Sequence, residues 1–122
     1  MRNPVNGLFH KLFGKSYAHH HQIPWEPAAD IYRTEQGWLV KFELAGILPD
    51  EMEVAVTGQE LKVRGIRRDY QAEEARQIYA MEIPYNRFER IIALPVAVSE
   101  SEVRWEYSRG MLIVRIERGS GQ

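Results

Sequence analysis

From Trp25 onward, apolar and polar side chains alternate in short runs, and each run is cut by a turn residue. Trp38, Val40, Phe42 and Leu44 alternate with Leu39, Lys41 and Glu43, the period-two pattern of a half-buried strand. Met52, Val54 and Val56 alternate with Glu53, Ala55 and Thr57 before Gly58, and Leu61 and Val63 alternate with Lys62 and Arg64 before Gly65. A further extended segment is expected over 78–83, stopped by Pro84. Phe88, Ile92 and Leu94 alternate with Glu89, Ile91 and Ala93 before Pro95. Val103, Trp105 and Tyr107 alternate with Arg104 and Glu106, then Ser108-Arg109-Gly110 turns the chain into Leu112, Val114 and Ile116. With Ile31-Tyr32 this makes about eight strands at roughly ten-residue spacing, the signature of an antiparallel sandwich or barrel. The segment 71–77 is rich in Ala and Glu but lacks an apolar face, so it reads as loop or a single turn. The fold class is all-β.

Residues 1–24 follow a different pattern. They show no strand-like alternation and carry Asn3, Pro4, Gly7, Gly14, Ser16 and Pro24, which predicts a flexible N-terminal arm. The sandwich is expected over 25–118, and 119–122 form a short C-terminal tail. Within the arm, Leu8, Phe9, Leu12 and Phe13 form two i,i+4 pairs, a short apolar stripe on a helix beside Lys11 and Lys15. Two helical turns are marginal in water unless they dock on something. The stripe therefore reads either as an exposed tail or as a docking and client-binding element. The arm has basic residues but neither an apolar core of about 7–15 residues nor a small-residue cleavage site, so a secretory signal is not expected. Its composition leaves a mitochondrial presequence open, although it holds only one Ser and one Arg. A cytoplasmic location is the default expectation.

Charge is unevenly placed. The whole chain of 122 residues has 16 basic and 17 acidic side chains and a formal charge of -1. Arg2, Lys11, Lys15 and all four histidines fall before Glu26, with no carboxylate among them. The balanced total argues against a chain held mainly by nucleic-acid phosphates. No apolar run approaches the roughly 20 residues of a membrane-spanning helix, so no membrane span is expected. Cysteine is absent, which excludes disulfides, thiol catalysis and cysteine zinc sites.

Candidate chemistry is sparse. His19, His20 and His21 could bind a transition metal, but no carboxylate or thiolate accompanies them, and a polar linker is the better reading. Gly14-Lys15-Ser16 echoes the end of a phosphate-binding loop, yet six residues separate Gly7 from Gly14 where that loop needs four. Ser16, a histidine and Asp30 could be drawn as a hydrolase triad, but no nucleophile-elbow motif supports it. Asp50-Glu51 and Glu73-Glu74 fall in turn or loop segments and read as solvated. No enzyme activity, catalytic residue, metal or cofactor is expected.

Five motifs in order resemble the α-crystallin domain of small heat shock proteins, in the bacterial and plant branch. They are Pro27-Ala28-Ala29-Asp30-Ile31-Tyr32, Phe42-Glu43-Leu44-Ala45-Gly46-Ile47, Leu61-Lys62-Val63-Arg64-Gly65, Phe88-Glu89-Arg90-Ile91-Ile92-Ala93-Leu94-Pro95 and Tyr107-Ser108-Arg109-Gly110-Met111-Leu112. The resemblance implies an immunoglobulin-like two-sheet sandwich and an ATP-independent chaperone. It departs from the family at four places. Leu44-Ala45-Gly46 lacks the family's central proline, and Arg109 stands where the family has an Asn suited to positive φ, which leaves that turn's conformation open. Trp105 replaces a usual Ala. After Ile116 the chain offers no Ile-x-Ile or Ile-x-Val motif, which puts assembly by tail docking in doubt.

The resemblance also implies roles. The segment containing Ile78, Tyr79 and Met81 would reach across to a partner's sheet, making a homodimer by loop-strand exchange and a base for larger oligomers. Arg90 matches an arginine near the dimer contact and could pair with Glu73 or Glu74; the plain alternative is an exposed strand charge. A groove between strands 52–56 and 103–107 would be lined by Val54, Val56, Val103 and Trp105, although alternation alone equally predicts core for them. Leu8, Phe9, Leu12 and Phe13, with that groove, would cover apolar surface on partly unfolded client proteins. Two alternatives remain: a CS-type co-chaperone or adaptor for one folded partner, and a regulatory subunit for oligomers of other small heat shock proteins.

Overall fold

A computed structural model describes residues 23–118. The arm residues Leu8, Phe9, Leu12 and Phe13, the three adjacent histidines and the tail 119–122 lie outside the described residues. Seven strands occur in chain order: β1 Ala29–Arg33, β2 Gly37–Glu43, β3 Met52–Thr57, β4 Glu60–Arg67, β5 Asn86–Ala93, β6 Val103–Ser108 and β7 Met111–Glu117. They form a four-stranded sheet, β1-β2-β7-β6, and a three-stranded sheet, β3-β4-β5, antiparallel throughout. The sandwich therefore matches the expected all-β class.

The two sheets bury the apolar phases of β2, β3, β4, β5 and β7 between them. Val40 and Phe42 of β2 and Leu112, Val114 and Ile116 of β7 meet Leu61 and Val63 of β4 and Phe88 and Ile92 of β5. Removing such side chains from water, at about 25 cal/mol per Å², is the main force holding the sheets face to face. The outer face of the smaller sheet is polar and carries a cross-strand charge lattice. Arg64 Nε donates to Glu53 Oε1 at 2.7 Å, and Lys62 Nζ lies 3.7 Å from Glu89.

Three local expectations are corrected. First, β4 does not stop at Gly65 but runs through it to Arg67. A Cβ on Gly65 would sit 2.4 Å from the Glu51 carbonyl oxygen and 2.9 Å from the Phe88 ring, so this glycine serves close packing rather than a turn. Second, the segment 78–83 is not a strand within this chain. It offers no edge of its own sheet a partner, and Trp25 occupies the outer edge of β5 with backbone hydrogen bonds to Arg87 and Glu89. Third, Glu51 is not a solvated loop carboxylate, because Arg68 donates to both of its oxygens, through Nε at 2.8 Å and through a terminal nitrogen. The single turn expected near 71–77 is present as Ala72–Glu74.

The turn at Arg109-Gly110 keeps left-handed backbone despite its arginine. Arg109 has φ 55° and Gly110 φ 78°, the two positive values of the tight hairpin turn whose twist suits its flanking strands. Register pairing from Ser108↔Met111 to Val103↔Ile116 fixes the turn from both sides and holds Arg109 in a region it does not favour.

Candidate functional site

The sandwich has two open flanks, each defined by one edge strand from each sheet. On one flank the chain crosses between the sheets. Trp25 bridges to Phe88 in parallel, and Arg90 donates to the Pro27 carbonyl at 2.8 Å just before β1 begins. Edges β5 and β1 are therefore neighbours, and β3 and β6 bound the opposite flank. Tyr107 of β6 ties that second flank at one end. Its hydroxyl donates to the Leu44 carbonyl at 2.6 Å and accepts the Ile47 N–H at 3.3 Å, in the connection leading to β3.

The four residues expected in a groove stand along the β3/β6 flank in different environments. Val56 is part of the buried core, and Val54 and Val103 are partly buried against it. Trp105 pairs across β6 and β7 with the buried Val114, on the inward phase of its strand, yet remains 43% exposed. An inward-facing ring is left open to water because, among the described residues, β6 is an edge with no further strand beside it. The apolar lining thus runs from core at Val56 to open surface at Trp105.

The loop between β4 and β5 presents a second apolar group. Ile78, Tyr79 and Met81 are 63%, 92% and 60% exposed, and Ile83 is exposed beside them. Arg90 lies on the inward phase of β5 with Phe88 and Ile92, so it is not an ordinary outward strand charge. Its guanidinium is committed to Pro27, and no ion pair joins it to Glu73 or Glu74 among the described residues.

Electrostatics beside these surfaces is set by two pairs. The hydrogen bond from Arg64 holds the Glu53 carboxyl below the usual carboxylate value, partly opposed by desolvation. The hydrogen bonds to Glu51 push the Arg68 guanidinium further up, partly opposed by desolvation. Among the described residues no group of three or more His, Asp or Glu is placed to hold a metal. No helix among them is long and apolar enough to cross a membrane.

Two functional-looking residues escaped sequence reasoning. Tyr107 was visible as an inward strand residue, but its hydroxyl partners lie about sixty residues away in sequence. Arg67 falls on the inward phase of β4 after Leu61, Val63 and Gly65 and is only 8% exposed. Continuing the alternation past Gly65 would have flagged a buried arginine.

Comparison with known proteins agrees with this architecture. The model of the Hsp20/alpha crystallin family matches residues 30–122. Spore protein SP21 of Stigmatella aurantiaca is 29% identical over 92 residues, covering 75% of this chain and 54% of that protein. Small heat shock protein C2 of Rickettsia felis is 23% identical over 121 residues, covering 96% of this chain and 79% of its own length. The chain thus spans little more than half the length of SP21. The crystal structure of hspA from Xanthomonas axonopodis superposes with a TM-score of 0.70 at 27% identity, over 79% of this chain and 96% of that one. With a fold that superposes on hspA and a family match over most of its residues, the chain belongs to the Hsp20/alpha crystallin family, the small heat shock proteins.

Proposed function

We propose that the protein is an ATP-independent holdase that binds partly unfolded clients and slows their aggregation. Family membership supports a chaperone role in general. The observation carrying the finer reading is the apolar material left uncovered in one chain: the loop group Ile78, Tyr79 and Met81, and Trp105 on the β3/β6 flank. Soluble monomers seldom expose such groups together without a partner.

Two partners account for them. The loop pairs with a second copy, its backbone adding to the free edge of β1 while Ile78, Tyr79 and Met81 fill that copy's surface. Arg90, by holding Pro27 to β5, steadies the start of β1 at this contact. Leu8, Phe9, Leu12 and Phe13 of the arm, with the flank lined by Val54, Val56, Val103 and Trp105, take up client apolar segments. Burial of apolar area drives both associations, so no nucleotide is needed. No catalytic role is proposed, and the site of action is the cytoplasm.

The test is paired. Tyr79→Ser with Met81→Ser should halve the mass seen by multi-angle light scattering. Deleting residues 1–24 should leave a cooperatively melting sandwich with weaker suppression of client aggregation. Equal protection by the shortened chain would refute the arm's role. Tight binding to one folded protein with no protection of unrelated clients would point to an adaptor instead.

A further inference from the structure

One side chain among the described residues, that of Arg67, hydrogen-bonds the loop 76–85 to the rest of the domain. Among the described residues, the hydrogen bonds holding this stretch are two that Arg67 gives to the Pro84 carbonyl, from Nε at 3.1 Å and from a terminal nitrogen at 2.8 Å. The other terminal nitrogen donates to the Ala45 carbonyl at 3.2 Å, in the turn after β2. The same guanidinium lies 4.4 Å from the centroid of the Trp25 ring and 5.6 Å from that of Tyr85. No carboxylate pairs with Arg67 among the described residues. Its charge is met by carbonyl dipoles and ring faces.

Two clefts flank the loop's return. A cleft of about 260 Å³ lies on one side, with Ile23, Trp25, Ile83 and Tyr85 in its wall. A second cleft of about 440 Å³ lies on the other, bounded by Arg67, Tyr70, Ile83 and Tyr85. Ile83 and Tyr85 are thus a partition between two open spaces, pinned from below by Arg67. Trp25, which bridges to Phe88 of β5, covers that pin with its ring.

We propose that Arg67 is the positioning residue that couples the N-terminal arm to the loop. Drawing Trp25 away exposes the guanidinium to water, weakens its hold on Pro84 and frees the loop. An arm pulled by a bound client would thereby loosen the segment assigned to dimer contact. This consequence for assembly rests on the loop-exchange reading above; the coupling itself does not.

The experiment follows tryptic cleavage after the loop residue Arg76 in the full chain, with cleavage after Arg104 as an internal reference. Trp25→Leu and Arg67→Met are each expected to speed cleavage at Arg76 by about 10-fold while the sandwich still melts cooperatively. The double variant should be no faster than either single one, because both break the same link. If Arg67→Met fails to fold, Arg67→Lys, which keeps the charge without the planar fork, takes its place in the cycle. An unchanged rate in Trp25→Leu, or effects that multiply, would overturn the coupling. A wild-type mass of one chain at high concentration would instead refute loop exchange and leave the cleavage result standing on its own.

Discussion

Tyr107 donates its hydroxyl proton to the Leu44 carbonyl across 2.6 Å, joining β6 to the end of β2 from the far side of the chain. The same oxygen accepts the Ile47 N–H at 3.3 Å, so a single phenol satisfies two backbone groups in an irregular connection. Those groups have no strand neighbour to serve them. Tyr107→Phe should therefore lower unfolding free energy by about 1–3 kcal/mol, the cost of leaving partly buried partners unmet. Denaturant titration checks it: the midpoint falls while the slope stays constant.

Gly65 has no room for a side chain in the smaller sheet. A methyl group there meets the Glu51 carbonyl and the Phe88 ring, neither of which can step aside without moving β3 or the core. Gly65→Ala should cost about 3 kcal/mol, the upper range for overpacking. The same titration reads this loss against wild type.

Arg109 offers the opposite effect. It holds a positive φ that Asn adopts more readily, ahead of a glycine that already fits its place in the turn. Arg109→Asn should raise stability by about 0.5–1 kcal/mol, since Asn recovers part of the roughly 1–2 kcal/mol penalty that a left-handed non-glycine residue carries. Thermal melting should shift upward with the structure of the hairpin unchanged.

The Glu53–Arg64 pair gives a pH dependence of defined sign. Its carboxyl is held below the usual value by Arg64, so the folded state keeps the charged form in acid where the unfolded chain has taken up a proton. The pair's stabilisation is present above the ordinary carboxylate range and is lost as pH falls through the lowered value. With side chains 43% and 42% exposed, solvent screening keeps the contribution to a few tenths of a kcal/mol. Arg64→Gln should return the Glu53 titration, followed by NMR, toward its ordinary value and flatten the acid limb of stability.

The strands were legible because one face of each sheet is buried, and alternation is what such a face demands. Seven of the expected runs are strands, and β2, β3, β4, β5 and β7 place their apolar phase in the core, whereas Ile31 and Tyr32 of β1 are exposed. The failures have physical causes. Gly65 looked like a stop because a glycine chosen for close approach and one chosen for a turn are the same letter. The segment 78–83 has strand composition, but its own chain supplies it no edge. Among the candidate residues, Trp105 and the loop group stand exposed, whereas Val56 belongs to the core, a distinction that alternation cannot make because edge and centre share one pattern. Arg67 and Tyr107 act through partners distant in sequence, so only the fold brings their roles into view.

The holdase reading is tested most directly by light scattering from an unrelated, heat-aggregating enzyme, with and without this protein, in the absence of ATP. Suppression at near-stoichiometric ratios is the predicted result. Undiminished scattering at a several-fold excess of the protein would contradict it.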